Sequence, residues 1–297
     1  MQIFRSLIVI SMIFNTFLSH ASMLPDKYDR ESVYQQIKSS YSEFISSMTN
    51  SRLKSSKEIQ LYILKNKSEG KKVELKKNFG SNFANIDFSN FYLAGVDLRK
   101  VNLSNVNFSY SELDNIDLTE SILDGSNFYA ADLSDSILNN TSLVGANLSL
   151  ADLSGASLIG ANLKNANLEG TNLNGANLTG ANLTGANLKS ANLSKAILVN
   201  TNFSKANMTN INLVESNCYN VNFNKANLER AIFFKAKIID SSFYKTNLVN
   251  ALFKRADLRG SSLKDANFLQ AVISRSTISD TGISKFEKKI LEEMQSE

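Results

Sequence analysis

Large apolar residues recur at every fifth position from residue 81 to about residue 278, and the period never loses phase. They hold the positions whose numbers end in 3 or 8, beginning with Phe83 and Phe88 and closing with Leu263 and Phe268. A small residue, mostly Ala, Ser or Thr, stands two places before each of them, and Asn or Asp usually fills the place between. The clearest stretch is Ala176–Gly185, where the sequence Ala-Asn-Leu-Thr-Gly occurs twice.

This five-residue period predicts a solenoid rather than helices or a plain sheet. A helix needs apolar residues at mixed spacings of three and four, because five residues advance it by about 500°. A plain strand alternates every two residues. The pattern is satisfied if each five-residue unit forms one short extended segment and one corner. The residues on either side of the Asn or Asp then point inward. Such units bury a core only by stacking on one another.

The repeats Ala-Asn-Leu-Xaa-Gly and Ala-Asp-Leu-Ser-Gly resemble those of the pentapeptide-repeat family, over about two thirds of the chain. The resemblance implies an all-β solenoid at residues 81–280, a right-handed quadrilateral β-helix of about ten coils with four repeats in each. Residues twenty apart should then stack. Two internal columns of aromatic rings are expected, one of Phe88, Phe108 and Phe128 and the other of Phe203, Phe223 and Phe243.

The first 21 residues are typical of a secretory signal peptide. Arg5 supplies a positive start, and residues 7–18 form an apolar run that is shorter than the roughly twenty residues of a membrane span. Ser19 and Ala21 are small residues at the positions before the predicted cut, which follows Ala21. The mature chain is therefore predicted to begin at Ser22 and to be periplasmic or secreted. A buried or membrane-lying N-terminal helix is the alternative. The mature chain is expected to have no transmembrane span.

The segments that flank the repeats are expected to cover the exposed ends of the core. Residues 22–80 predict a helix with an apolar face between Val33 and Met48, followed by a β-hairpin. In that hairpin residues 59–63 and 73–75 alternate around a polar turn at residues 67–71. Residues 281–297 predict a capping helix, because Ser284 and Glu287 fit a capping box ahead of an apolar stripe. The family resemblance implies that such an end can also support a homodimer, so this helix is the candidate for that contact.

Composition argues against an enzyme, a cofactor or a metal site. The one histidine of the chain is His20, which the predicted cut removes, so the mature protein cannot build a Ser-His-Asp or Cys-His site. The one cysteine, Cys218, falls in an inward column and is expected to be a buried, inert thiol. A formal net charge of +4 gives no general attraction to nucleic acid, and no nucleic-acid partner is expected.

Three sets of outward residues are candidate interaction surfaces, because each set repeats at twenty-residue spacing. One is an apolar stripe in the place that Asn or Asp normally holds, and two are ladders of like charge. The sets are Ile232, Leu252 and Val272; Lys205, Lys225 and Lys245; and Glu112, Asp132 and Asp152. A further basic ladder is formed by Lys235, Arg255 and Arg275, and a second apolar stripe by Val199, Tyr219 and Ile239.

Each surface has an alternative explanation. The C-terminal helix or a neighbouring loop could cover the first apolar stripe, and drift among repeats also produces runs of like charge. The favoured function is an exported, non-catalytic scaffold that presents a rigid surface to a protein or an envelope polymer. One alternative, implied by the family resemblance, is a cytoplasmic DNA mimic that regulates a topoisomerase. The other is a secreted effector that acts in a host cell.

Overall fold

A computed structural model describes residues 51–273 and residue 276. The chain divides into two compact units, Met1–Glu58 and Ile59–Glu297, and the description below concerns the second. Its regular elements are α1 (Ser51–Ser68, which begins in the first unit), α2 (Leu75–Phe79), β1 (Asn217–Tyr219) and β2 (Lys237–Ile239). The predicted signal peptide, the helix around residues 33–48 and the C-terminal helix lie outside the described residues.

From residue 81 the chain forms stacked coils of twenty residues, each with four pentapeptides. Parallel β-bridges join residues twenty apart, as between Asn177 and Ile197, and the strands β1 and β2 pair in the same register. Leu178 N–H donates to the Ile197 carbonyl of the next coil at 2.8 Å, while Asn177 N–H donates to the Ala156 carbonyl of the previous coil at 2.9 Å. The predicted β-solenoid and its twenty-residue repeat are therefore present.

The core follows the predicted inward positions. The residues on either side of the Asn or Asp are buried, and the two corner residues that follow are half-buried or exposed. Where the small position carries a hydroxyl, that group finds a backbone acceptor, as when Thr171 Oγ1 donates to the Leu148 carbonyl at 2.7 Å. Serine and threonine therefore replace alanine inside the solenoid without leaving an unsatisfied polar group.

The predicted phenylalanine columns are confirmed. In the first column the ring centroids of Phe88 and Phe108 lie 5.6 Å apart, and in the second those of Phe223 and Phe243 lie 4.8 Å apart. A further stacked pair, Phe233 and Phe253, has its centroids 4.6 Å apart and meets the second column edge to face. These rings fill the lumen of the coils by interdigitating, as in close-packed protein interiors.

Cys218 is buried within the same core, as expected. Burial raises the pKa of its thiol to about 12, although a contact with Ser216 Oγ at 3.3 Å opposes this shift. Because the thiolate is the reactive form of cysteine, Cys218 is protected from oxidation and alkylation in the folded chain.

One column of outward side chains forms a ladder of amides along the coils. In the middle of this ladder Asn167 Nδ2 donates to Asn147 Oδ1 at 3.2 Å, and Asn167 Oδ1 accepts from Asn187 Nδ2 at 3.0 Å. The same oxygen accepts the N–H of Glu169 at 3.3 Å, which closes the corner as an Asx turn. The ladder is formed by Asp87, Asn107, Asn127, Asn147, Asn167, Asn187 and Asn207. It is interrupted at the next coil, where Asn227 Nδ2 donates to Thr209 Oγ1 at 2.9 Å, and Asn247 Nδ2 then donates to Asn227 Oδ1 at 2.8 Å.

The predicted hairpin before the repeats is wrong, because residues 51–68 form α1 and residues 75–79 form α2. The alternation of Ile59, Leu61 and Ile63 is only apparent. Ile59 and Ile63, four residues apart, are buried on one side of α1, and Leu61 is half-buried. Gly70, with φ 64°, lies just after the end of α1 in the left-handed conformation that a helix C-terminus favours.

These two helices do perform the predicted capping of the core. The buried side chains of Ile59, Ile63, Val73 and Leu75 join the hydrophobic cluster of the solenoid. Polar side chains of the cap also meet carbonyl groups of the first coil, which in later coils accept an N–H from the preceding coil. The donors are Gln60 Nε2 to Asp87 O at 3.0 Å, Lys67 Nζ to Ala94 O at 3.0 Å and Lys76 Nζ to Arg99 O at 3.1 Å.

Lys67 is the best position to test this cap. Its ammonium group also lies 3.7 Å from the centroid of the Tyr92 ring. We expect Lys67→Met to lower the free energy of unfolding by about 1.5–3 kcal/mol, the usual range for a hydrogen bond to a charged group. Equilibrium urea unfolding measures the change. The matched variant Lys65→Met alters an exposed lysine of the same helix and should have little effect; equal losses in both variants would contradict the capping role.

Candidate interaction surface

The stacking of coils joins two of the predicted surfaces into one continuous column. Each member is bridged to the residue twenty positions later. We call this row the mixed column: Tyr92, Glu112, Asp132, Asp152, Asn172, Asn192, Asn212, Ile232, Leu252 and Val272. Its acidic zone (Glu112, Asp132, Asp152) and its apolar zone (Ile232, Leu252, Val272) are separated by three asparagines.

The apolar zone is exposed in three consecutive coils. Ile232, Leu252 and Val272 have 37%, 40% and 42% of their surface exposed, although the neighbouring inward residues are buried. In the asparagine zone before them, Asn212 Nδ2 donates to Asn192 Oδ1 at 3.1 Å. Aliphatic side chains cannot continue that ladder, so the change from amide to hydrocarbon removes stabilising hydrogen bonds and leaves apolar surface in water.

Further apolar and basic residues surround the apolar zone in the chain. Val249 and Leu269 precede Leu252 and Val272 by three residues, and Leu269 is 66% exposed. The basic residues within three positions of Ile232 or Leu252 are Arg230, Lys235, Lys254 and Arg255. An apolar centre with a polar rim is the usual composition of a protein-binding surface.

The acidic zone has a local structural role. Asp132 Oδ1 accepts from Ser134 N–H at 2.9 Å and from its hydroxyl at 2.7 Å. Asp152 Oδ1 accepts from Ser154 N–H at 2.8 Å and from Asn172 Nδ2 at 3.0 Å. The two aspartates therefore stabilise the corners as asparagine does elsewhere, and these contacts account for them without a ligand.

Lys205, Lys225 and Lys245 occupy the same corner of three consecutive coils, and we call them the lysine corner. Lys205 N–H donates to Asn224 O and Lys225 N–H donates to Tyr244 O, each at 2.9 Å. The side chains are exposed. These backbone hydrogen bonds align the three residues along the stacked coils.

Some residues of the other two predicted surfaces contact neighbouring side chains or pair with a neighbouring strand. In the further basic ladder Lys235 Nζ lies 3.2 Å from Glu215 Oε1, and the Arg255 guanidinium lies 6.0 Å from the Phe234 ring centroid. Arg275 lies outside the described residues. In the second apolar stripe Tyr219 pairs with Ile239 between β1 and β2, and Tyr219 is exposed.

The described part of the chain was expected to lack a metal site, and its acidic and thiol side chains are spread along the solenoid. Among residues 51–273 and residue 276, no three His, Cys, Asp or Glu side chains come close enough to hold a metal ion. A pocket of about 170 Å³, lined by residues 72–77 and Asp97, is below the roughly 300–1,000 Å³ of small-molecule sites. Within the same residues, no helix combines the length and the apolar character needed to cross a bilayer.

Sequence reasoning missed two features of these surfaces. It treated the acidic and apolar zones as separate, although Asp152 and Ile232 differ by eighty residues, which is four coils. It also did not predict the backbone conformation of the corners. The fifth residue of most described repeats has a positive φ. The recurrence of Gly and Asn at that position was the available signal for this conformation.

Comparisons with known proteins agree with the repeat architecture. The family model for pentapeptide repeats matches eight copies, over residues 81–119, 111–149, 151–189, 171–210, 211–250 and 251–281. No curated protein is similar enough to this chain to count as a match.

Several solved structures are similar to the chain. HetL, a pentapeptide repeat protein involved in heterocyst differentiation regulation from the cyanobacterium Nostoc sp. strain PCC 7120, is 28% identical over 74% of this chain and 97% of HetL, with a TM-score of 0.51. Rfr23 from the cyanobacterium Cyanothece 51142 is 35% identical over 44% of this chain and 93% of its own, with a TM-score of 0.31. QnrB1, a plasmid-mediated fluoroquinolone resistance protein, is 19% identical over 63% and 93%, with a TM-score of 0.29. The family model spans more than half of the residues of this chain, and the chain therefore belongs to the pentapeptide repeat family.

Proposed function

We propose that this chain is an exported, non-catalytic scaffold that binds a partner protein through the apolar zone of the mixed column. The observation that supports this function is the run of three exposed aliphatic side chains, Ile232, Leu252 and Val272, in a column of otherwise mostly polar residues. Backbone hydrogen bonds between coils hold the three side chains at strand spacing. A partner therefore meets a surface that loses little conformational entropy on binding.

We infer further that the solenoid is a right-handed, four-sided helix of about ten coils, since four corners recur in each twenty-residue repeat. Side chains fill its interior, so binding takes place on its outside. A partner protein suits the apolar zone better than an envelope polymer does, because hydrocarbon side chains offer a polysaccharide no hydrogen bonds. A homodimer through residues 281–297 remains a separate proposal.

Export is proposed from the N-terminal sequence, with a cut after Ala21. A DNA mimic needs an acidic surface along its length, whereas basic residues outnumber acidic ones at the described corners between residues 195 and 255. The basic residues are Lys195, Lys205, Lys225, Arg230, Lys235, Lys245 and Arg255, and the acidic ones are Glu215 and Asp240. This basic half gives the topoisomerase alternative no electrostatic support. No observation on the described residues favours a host-cell effector.

A photo-crosslinking residue placed at position 252 tests the binding surface in the source cells. We expect discrete adducts with a partner protein from this position. The matched position is Ile122, which is 46% exposed but lies in another column. Adducts of equal yield from positions 252 and 122, or none from either, would contradict the proposed surface.

A further inference from the structure

The lysine corner combines a rare backbone conformation with a residue type that does not favour it. Lys205, Lys225 and Lys245 have φ of 61°, 61° and 55°. This left-handed region is comfortable for glycine and tolerable for asparagine, but a lysine Cβ is crowded there. In the earlier coils the same corner carries suitable residues, namely Asn105, Gly125, Gly145, Asn165 and Gly185.

The three lysines also place like charges close together. Successive coils are about 4.8 Å apart, so three positively charged side chains leave the same corner at strand spacing, where like charges are unfavourable. Among the described residues, no ion pair to Lys205, Lys225 or Lys245 falls within 4.0 Å. Contact with Tyr244 raises the pKa of Lys245, and the Asp265 carboxylate at this corner of the next coil raises it further. The row thus combines a left-handed backbone with a positive charge at the same corner of three consecutive coils.

We propose that the lysine corner binds a linear polyanion that lies parallel to the solenoid axis. Three lysine side chains that leave the same corner of consecutive coils can each contact one phosphate, sulfate or carboxylate of such a ligand. The backbone hydrogen bonds of Lys205 and Lys225 hold the main chain of this corner in place, so the lysine side chains start from fixed positions along the row. Binding of an anion offsets the repulsion among like charges at this corner.

This site is separate from the proposed protein-binding surface. The lysine corner follows Asn202, Asn222 and Ser242 in the chain, whereas the apolar zone belongs to the mixed column. A polyanion and a partner protein can therefore be tested independently, and loss of one interaction does not predict loss of the other.

The test replaces Lys205, Lys225 and Lys245 together by glycine in the full chain and measures two properties. The probe is linear inorganic polyphosphate of defined length, titrated at low and at physiological salt. We expect the natural chain to bind with an affinity that falls as salt rises, and the triple variant to bind at least about tenfold more weakly. Its urea unfolding midpoint should rise, because glycine relieves the strain at all three positions.

A matched variant replaces Lys195, Lys235 and Arg255 by glycine. These residues have φ of 59°, 57° and 61° at another corner, so the variant has the same net charge and the same backbone relief. It should keep most of the affinity for polyphosphate. Equal loss in both variants would overturn the proposal in favour of general charge attraction, and unchanged binding by the first variant would overturn it outright. Tighter binding to anionic lipid vesicles or to single-stranded DNA of equal charge would also overturn a linear, base-free polyanion as the ligand.

Discussion

Replacement of Phe223 by alanine is expected to lower the free energy of unfolding by about 3–5 kcal/mol, the usual range for phenylalanine in a close-packed core. The side chain is fully buried, and its ring centroid lies 5.6 Å from that of Phe203 and 4.8 Å from that of Phe243. Backbone hydrogen bonds fix the spacing of the coils on either side, so they cannot close over the vacant volume. The cavity therefore remains and weakens the interface between neighbouring coils.

Urea unfolding followed by circular dichroism measures this loss, and hydrogen exchange shows where it occurs. The variant Phe223→Leu keeps much of the volume and should lose clearly less stability. Exchange should increase mainly in the coils that contain Phe203, Phe223 and Phe243, because each coil contacts only its neighbours. A loss below about 1 kcal/mol for Phe223→Ala would mean that the column does not support the solenoid.

The second large effect concerns binding. The double variant Ile232→Asp with Leu252→Asp should weaken binding of the crosslinked partner by roughly a hundredfold or more, as loss of a central hot spot does. Each new carboxylate would be buried against the partner without a counter-ion, which adds a desolvation cost to the lost apolar contact. Binding of the purified partner, measured by titration, gives the change in affinity.

The matched control for that variant is Ile122→Asp with Ile137→Asp. These isoleucines are 46% and 40% exposed and belong to the outward positions of two other columns. Both double variants should unfold within about 0.5 kcal/mol per substitution of the natural chain, because the altered side chains lie at the surface. Similar affinities for the two double variants would show that the partner does not use the apolar zone.

The repeat region of this molecule could be predicted because a single five-residue pattern determines two things. It determines where the chain turns, and it determines which residues stack on one another in neighbouring coils. Once residues twenty apart stack, the contacts of Phe88 with Phe108 and of Ile232 with Leu252 follow from their numbers. The cap could not be predicted in this way. Ile59 and Ile63 fit a strand and a helix equally well, and their burial against the solenoid decides between the two.

The candidate surface was predicted as separate groups, but its connection depends on coil geometry. The acidic zone, the amides and the apolar zone become one column only when the bridges from Glu112 to Val272 are followed through every coil. The strain at Lys205 is likewise a backbone property, which side-chain composition alone does not report. Its signal lay in the glycines and asparagines that hold the same corner elsewhere.

Intact mass spectrometry of the protein from separated compartments of its source cells tests the central claim of an exported scaffold most directly. Export predicts a chain that begins at Ser22 and is found in the periplasm or the medium. An uncut chain that begins at Met1 and stays in the cytoplasm would contradict it.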